Sequence, residues 1–211
     1  MKLKEHDFVE LDFVGKIKDT NEIFDLTQES VAKLNNIYNP KFSYKPVAVC
    51  IGENNLIKSL ENSLIGKEKG KYEIEIKSED AFGKRNPELL KLVPSKIFKK
   101  ENLKPFPGLN VNIDGNIGTI RTVSGGRIII DFNHHLSGKD LIFEIEIKRI
   151  ITDKKEKLDC LISKISSKYE IKIEENKADI KINLNEKNKN LLKEKILNLI
   201  PEIKEVNFNN L

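Results

Sequence analysis

A change of grammar at Lys84 constrains this 211-residue chain more than any other feature. Before it, apolar residues recur in ordered periods: two by two through Phe8–Ile17, at three and four from Leu56 to Leu64, and two by two again at Tyr72, Ile74 and Ile76. After it, Pro87, Pro94, Pro105 and Pro107 punctuate short apolar runs, and Gly108, Gly115, Gly118, Gly125 and Gly126 mark turns every few residues. That pattern predicts a small β-rich body over 84–132, with 119–123 and 127–132 joined as a hairpin by Ser124-Gly125-Gly126. Nine Lys or Arg against four Asp or Glu give this stretch a charge of +5, in a chain whose net charge is +4. A basic face speeds encounter with acidic partners. The stretch lacks dense Arg interleaved with aromatic residues, so nucleic acid is not an expected partner.

The flanking parts read differently. Phe8 to Ile17 predict a half-buried strand, and Asp19-Thr20-Asn21-Glu22 a turn. Residues 28–45 read as a polar and aromatic excursion, with Val31, Leu34 and Ile37 at helical spacing before Asn39-Pro40 stops the helix. A strand over 47–51 ends at Gly52; Leu56, Ile57, Leu60 and Leu64 then form one face of a short helix closed by Gly66. Beyond Ile151 the order is αββαβ. The first helix places Leu158, Leu161, Ile162 and Ile165 on one face and the second carries Leu191, Leu192, Ile196, Leu199 and Ile200. Ile171 with Ile173, Ile180 with Ile182 and Leu184, and Ile203 with Val206 and Phe208 supply the strands. Sixty residues make a small core, so this module is expected to dock on the rest of the chain or on a second copy as a homodimer. The class is α+β.

At 38% hydrophobic and 33% charged residues, the composition is that of a soluble globular protein. No run of eighteen apolar residues occurs and the first residues lack an apolar leader, so the expectation is a cytoplasmic protein without membrane association. Cys50 and Cys160 form neither a disulfide framework nor a zinc motif and are expected to be reduced and buried. Of three histidines, His134 and His135 are adjacent, and on an extended strand they would face opposite sides. No metal or other cofactor is expected.

Four motifs stand in order: Leu11-Asp12-Phe13-Val14-Gly15, Phe24-Asp25, the run from Gly52 through Glu61, and Asp80-Ala81-Phe82-Gly83 paired with Asn133-His134 and Phe143. Together they resemble the FK506-binding-protein (FKBP) family of peptidyl-prolyl cis-trans isomerases. The layout is that of the SlyD-like branch, whose flap carries an inserted chaperone domain, in a long archaeal-type form with an extra C-terminal domain. The resemblance covers residues 1–152. It implies an FKBP-like antiparallel sheet with one short helix from 1–83 plus 133–152, an insert-in-flap chaperone domain at 84–132, and a C-terminal α/β module at 153–211 outside the match.

The implied activity is cis-trans isomerisation of X-Pro bonds in unfolded or partly folded polypeptides. It would occur in a cleft of Phe13, Phe24, Leu56, Ile57, Leu60, Phe82 and Phe143 with Val47 at the rim. By the same resemblance Ile57 offers its backbone N–H to a substrate carbonyl, Asp25 sets a buried carboxylate near the twisting amide, and His134 supports the cleft through hydrogen bonds. No nucleophile is needed. Amide resonance holds the prolyl bond with a barrier of roughly 18–20 kcal/mol, and a dry aromatic hollow that prefers the twisted, less polar amide lowers it by differential binding. Leu60 stands where many members have tryptophan, and Phe13 and Phe82 where tyrosine is usual, which implies modest turnover and weak FK506 affinity.

In the insertion, Leu90, Leu92, Val93, Ile97, Phe98, Ile128 and Ile129 are expected to form a polypeptide-binding surface. The alternative reading is a non-enzymatic chaperone that binds unfolded chains with little isomerase activity.

Overall fold

A computed structural model describes residues 1–100 and 102–211. In chain order the elements are β1 (Phe8–Ile17), β2 (Ile23–Leu26), α1 (Glu29–Leu34), β3 (Val47–Cys50), α2 (Lys58–Leu64) and β4 (Gly70–Ile76). Then come β5 (Leu90–Pro94), α3 (Ser95–Lys100), β6 (Asn110–Ile113), β7 (Asn116–Ser124), β8 (Arg127–Asp131) and β9 (Leu141–Ile150). The chain closes with α4 (Lys154–Ile162), β10 (Glu170–Glu174), β11 (Lys177–Lys181), α5 (Glu186–Leu199) and β12 (Glu205–Asn209). It divides into two compact units, one of residues 1–16, 20–76 and 142–211, the other of 17–19 and 77–141. The class is α+β.

In the first unit the sheet runs β2-β1-β9-β4, and β3 also pairs antiparallel with β1. The alternation along β1 predicts one wet face, but both are covered: Val9, Leu11 and Phe13 on one side, Phe8, Asp12 and Val14 on the other. Phe8 and Cys50 belong to the same core as Leu158, Cys160, Ile162, Ile180, Leu192 and Ile196, so α4, α5 and their sheet close over that end of β1. Asp12 is tolerated inside because Thr27 Oγ1 donates to it at 2.7 Å and Lys148 Nζ lies 3.2 Å away.

The helix expected over 28–37 ends early. Asn36 takes a left-handed φ of 57°, which terminates α1 at Leu34. Ala32 is the residue it buries; Leu34 and Ile37 face outward.

The αββαβ order holds after Ile151. Asp153 accepts the N–H of Glu156, and Asn185 that of Asn188, each at 2.9 Å, so both helices begin on a side-chain cap. β10 and β11 pair antiparallel while β11 and β12 run parallel, which is why α5 must cross between them. Ile165 and Leu191, placed by periodicity on the core faces, are exposed.

The second unit contains the sheet β5-β8-β7-β6. Two hairpins shape it, turning at Asp114-Gly115 and Gly125-Gly126, all four residues having positive φ as tight hairpin loops require. Its core is Phe98, Val111, Ile120, Ile128 and Ile130. At the neck, buried Asp131 accepts from Arg121 Nε at 3.0 Å, from Arg85, and from the Asn133 N–H at 2.9 Å. Asn133 exchanges two bonds with the Asn86 backbone, at 2.8 and 3.0 Å.

Cys50 and Cys160 are both free and buried, and each lies in the core shared by β1, β3 and α4. Burial pushes the Cys50 thiol up to about 12 and moves Cys160 in the same direction. A thiolate-selective disulfide reagent at about pH 8 is therefore expected to label neither cysteine in the native protein and both after denaturation. Rapid labelling of either native thiol would mean that this shared core opens.

Candidate active site

Three aromatic rings from neighbouring strands meet in the first unit. Phe24 on β2 touches Phe143 on β9 edge to face, with centroids 5.7 Å apart and planes at 85°, and Phe13 on β1 stands 6.3 Å from Phe143 at 54°. Such tilted contacts set the positive edge of one ring against the negative face of another. Gly15 makes the approach possible: a Cβ there would lie 2.6 Å from Phe24 Cζ and 3.1 Å from Phe143 Cε1. It faces Asp25 across the β1–β2 pair, with a bulge beginning at the next residue.

Phe13, Asp25, Val47 and Leu56 line one cavity of about 690 Å³. Phe24 and Asp25 line a second hollow of about 470 Å³ with Ile37, Phe42 and Tyr44 from the 37–44 segment. Asp25 thus borders both. It is exposed rather than buried, a correction to the expectation from the motif, and the strand that carries it, β2, is at the edge of the sheet. Protein atoms still crowd the carboxyl enough to push it above the usual carboxylate range, opposed by the backbone N–H of Leu26.

Leu56 and Ile57 precede α2, and Leu60 is buried on that helix at 1% exposure. Ile57 is the residue before the first turn, where backbone N–H groups have no partner within the helix. Position 61 is the surprise. The Glu61 side chain is 1% exposed and accepts three backbone N–H groups, from Gly52 at 2.9 Å, Asn54 at 3.2 Å and Leu56 at 2.8 Å. One carboxylate therefore shapes the whole loop that presents Leu56 and Ile57. The available clue was an acidic residue at the centre of an otherwise apolar helical repeat. Thr27 was likewise unmarked by sequence, yet its hydroxyl accepts the Phe13 N–H at 2.9 Å and fixes that residue's backbone.

Phe82 and His134 lie in the second unit. Their rings stack at 4.4 Å and 5°, the Ser137 hydroxyl donates to the Phe82 carbonyl at 3.1 Å, and His134 Nδ1 accepts the Leu136 N–H at 3.3 Å. The segment is a turn, not an extended strand, so the rings of His134 and His135 come within 4.5 Å of each other instead of facing apart. Of the expected polypeptide-binding residues, Leu90, Leu92, Ile97 and Ile129 are exposed. Phe98 and Ile128 are not surface: they form the unit's core, with Val93 packed partly against them. Phe106 and Ile117, exposed by 55% and 73%, belong to the outer apolar set instead.

Replacing Glu61 with alanine leaves three amides without their acceptor and is expected to cost about 3 kcal/mol in urea unfolding. Tetrapeptide turnover should fall with it, and Glu61→Gln, which keeps one acceptor oxygen, should lose less. An unchanged urea midpoint for Glu61→Ala would show that the 52–57 loop holds itself.

Known proteins extend these observations. Residues 91–136 match the family model described as FKBP26, IF domain. A short-type peptidyl-prolyl cis-trans isomerase of Methanocaldococcus jannaschii is 30% identical over 149 residues, spanning 70% of this chain and 94% of that protein. The FKBP-type peptidyl-prolyl cis-trans isomerase SlyD of Pasteurella multocida is 33% identical over 108 residues, 49% of this chain and 54% of its own length. An FKBP-type 16 kDa peptidyl-prolyl cis-trans isomerase of Escherichia coli K12 is 32% identical over 112 residues, 50% of this chain and 74% of that protein. With the aromatic nest on β1, β2 and β9 and these relatives together, the chain belongs to the FKBP-type peptidyl-prolyl cis-trans isomerases, as a SlyD-like member.

Proposed function

We propose that this isomerase acts on X-Pro bonds in unfolded or partly folded chains, using Phe13, Phe24 and Phe143 as the hollow that prefers the twisted amide, with residues 84–132 as the part that holds the client. The carrying observation is the convergence of the three rings, of which Phe13 lines a cavity with Asp25, Val47 and Leu56 and Phe24 the neighbouring hollow. An aromatic, water-poor wall costs the planar, polar amide its hydration and costs the twisted form less. Ile57 would donate its N–H to a substrate carbonyl from the start of α2, and Leu60 would floor the hollow. Asp25, exposed at the cavity edge, fits a role in steering the substrate more than one of a desolvated carboxylate.

Client capture by the insertion is supported by its outward residues. Leu92 and Ile129 face each other across the β5–β8 pair, and both are exposed. Together with Leu90, Ile97, Phe106 and Ile117 they give 84–132 more outward apolar side chains than a body with a five-residue buried core needs. A cytosolic place of action fits two free, buried thiols. For the C-terminal module we infer self-association: Ile165 and Leu191, 49% and 57% exposed, share an apolar hollow with Leu184 and Leu192. Leu191→Lys should shift the sedimentation equilibrium toward monomer, and an unchanged mass would refute self-association through this face.

Joining Gly83 directly to Asn133 is expected to preserve isomerisation of a tetrapeptide while removing most activity on an unfolded proline-limited protein. Equal loss on both substrates would defeat the division of labour. Asp25→Asn and Phe143→Ala should each lower tetrapeptide kcat/KM, Phe143→Ala by tenfold or more, while binding of the unfolded protein persists. If wild type leaves the cis-to-trans rate of the tetrapeptide unchanged, the chain is a binding module alone.

A further inference from the structure

The cavity that contains Phe13, Asp25, Val47 and Leu56 does not stop at the aromatic nest. It continues along β3, where Lys45, Pro46, Ala48 and Val49 line it, to the C-terminal end of α4 and the start of β10, where Cys160, Ser163, Lys164 and Tyr169 form its far wall. We infer that this extension seats the extended polypeptide flanking the target proline, so that the C-terminal module is a specificity-determining part of the substrate site. The inference rests on the isomerase reading of the near end.

The register of β3 shows what the groove offers a passing chain. The N–H of Ile51 bonds to the Asp7 carbonyl, whereas the N–H of Cys50 turns the other way and donates to Asn55 Oδ1 at 2.9 Å. Antiparallel pairs alternate between bonded and non-bonded positions. Val49 and Val47 therefore share the parity of Ile51 and face β1, while Ala48 shares the parity of Cys50 and directs its N–H and C=O to the outer edge. Among the described residues β3 has no strand partner other than β1. Pro46 carries no donor, so Ala48 is the one residue of the edge able to exchange a complete pair of backbone bonds with an added strand.

The walls fix the class of occupant. Arg149 is held by Glu10 at 2.8 Å and Glu156 at 2.7 Å, and Lys164 bonds Asn55. Arg149 is thus answered within the protein, Lys45 and Asp25 bring opposite charges to the near end, and Val47, Ala48, Val49, Leu56 and Ile151 supply apolar surface between them. Such a groove reads backbone and apolar side chains, so an uncharged extended peptide fits it better than an acidic or basic one. Asn55 ties the two ends together, since the same Oδ1 accepts from Cys50 in the sheet and from Lys164 in the module.

Ser163 is exposed at the end of α4 on the far wall, which makes it the position to fill. In the full chain, Ser163→Trp should raise KM by about fivefold for a long uncharged peptide that extends an X-Pro core on both sides. It should leave the tetrapeptide with the same core unaffected. Lys187→Trp, an exposed position of α5 outside the groove, should behave as wild type on both. Titrating the long peptide into wild type should also shift the amide resonances of Ser163, Lys164 and Tyr169. Equal effects of Ser163→Trp on both peptides, or none on either, with those amides unmoved, would overturn the inference. Should wild type fail to accelerate even the tetrapeptide, the isomerase reading falls by itself, and the amide shifts still decide whether the groove takes the chain.

Discussion

A missing side chain at Gly15 decides how the isomerase sheet is furnished. Phe24 crosses β1 only because no Cβ stands 2.6 Å from its ring, and Phe143 is met edge-on only because Phe24 reaches it. Phe13, two residues earlier on the same strand, completes the set from the same face. The hollow is thus a product of strand geometry, which keeps three large rings in fixed relation, with the Thr27 hydroxyl holding the Phe13 backbone. Preorganised apolar surface suits a reaction in which the protein moves no proton and only favours one rotational state over another.

Much of this was legible because strands and helices write their periods into sequence. The alternation around Phe13 and the three-and-four spacing of Leu60 and Leu64 placed both elements, and the αββαβ order after Ile151 followed from the same rule. What sequence could not carry were facts about partners distant along the chain. β1 reads as half-buried, yet Phe8 is covered by α4 and α5, more than a hundred residues later. Glu61 stands out only as an acid within an apolar helical repeat, and its role shows once the amides of 52–56 are seen to converge on it. Asp25 resembles a buried acid in its motif but is exposed on an edge strand. Phe98 and Ile128 look like any exposed apolar residue of a small domain, and only the pairing of β5 with β8 assigns Ile128 to the inside and its neighbour Ile129 to the outside.

That last separation matters for how one small sheet does two jobs. Along β8, Ile128 and Ile130 are fully buried while Ile129 points outward. Three consecutive isoleucines therefore supply both core and exposed surface, with the pleat deciding which is which. A one-residue slip would exchange them, and the bulge between Ile120 and Thr122 together with the Asp131 network at the end of β8 pins the register against it.

The same network bears on the order in which the molecule assembles. β4 and β9 are neighbours in the sheet, yet 64 residues separate Ile76 from Leu141. If the hairpins of 84–132 form early, the bonds joining Asn86 to Asn133 and Arg85 to Asp131 pinch that long excursion at its base. The chain still to be closed then behaves as a loop of some twenty residues, which lowers the entropic cost of pairing β4 with β9 by about 1 kcal/mol. The inserted body would thereby template the sheet it interrupts.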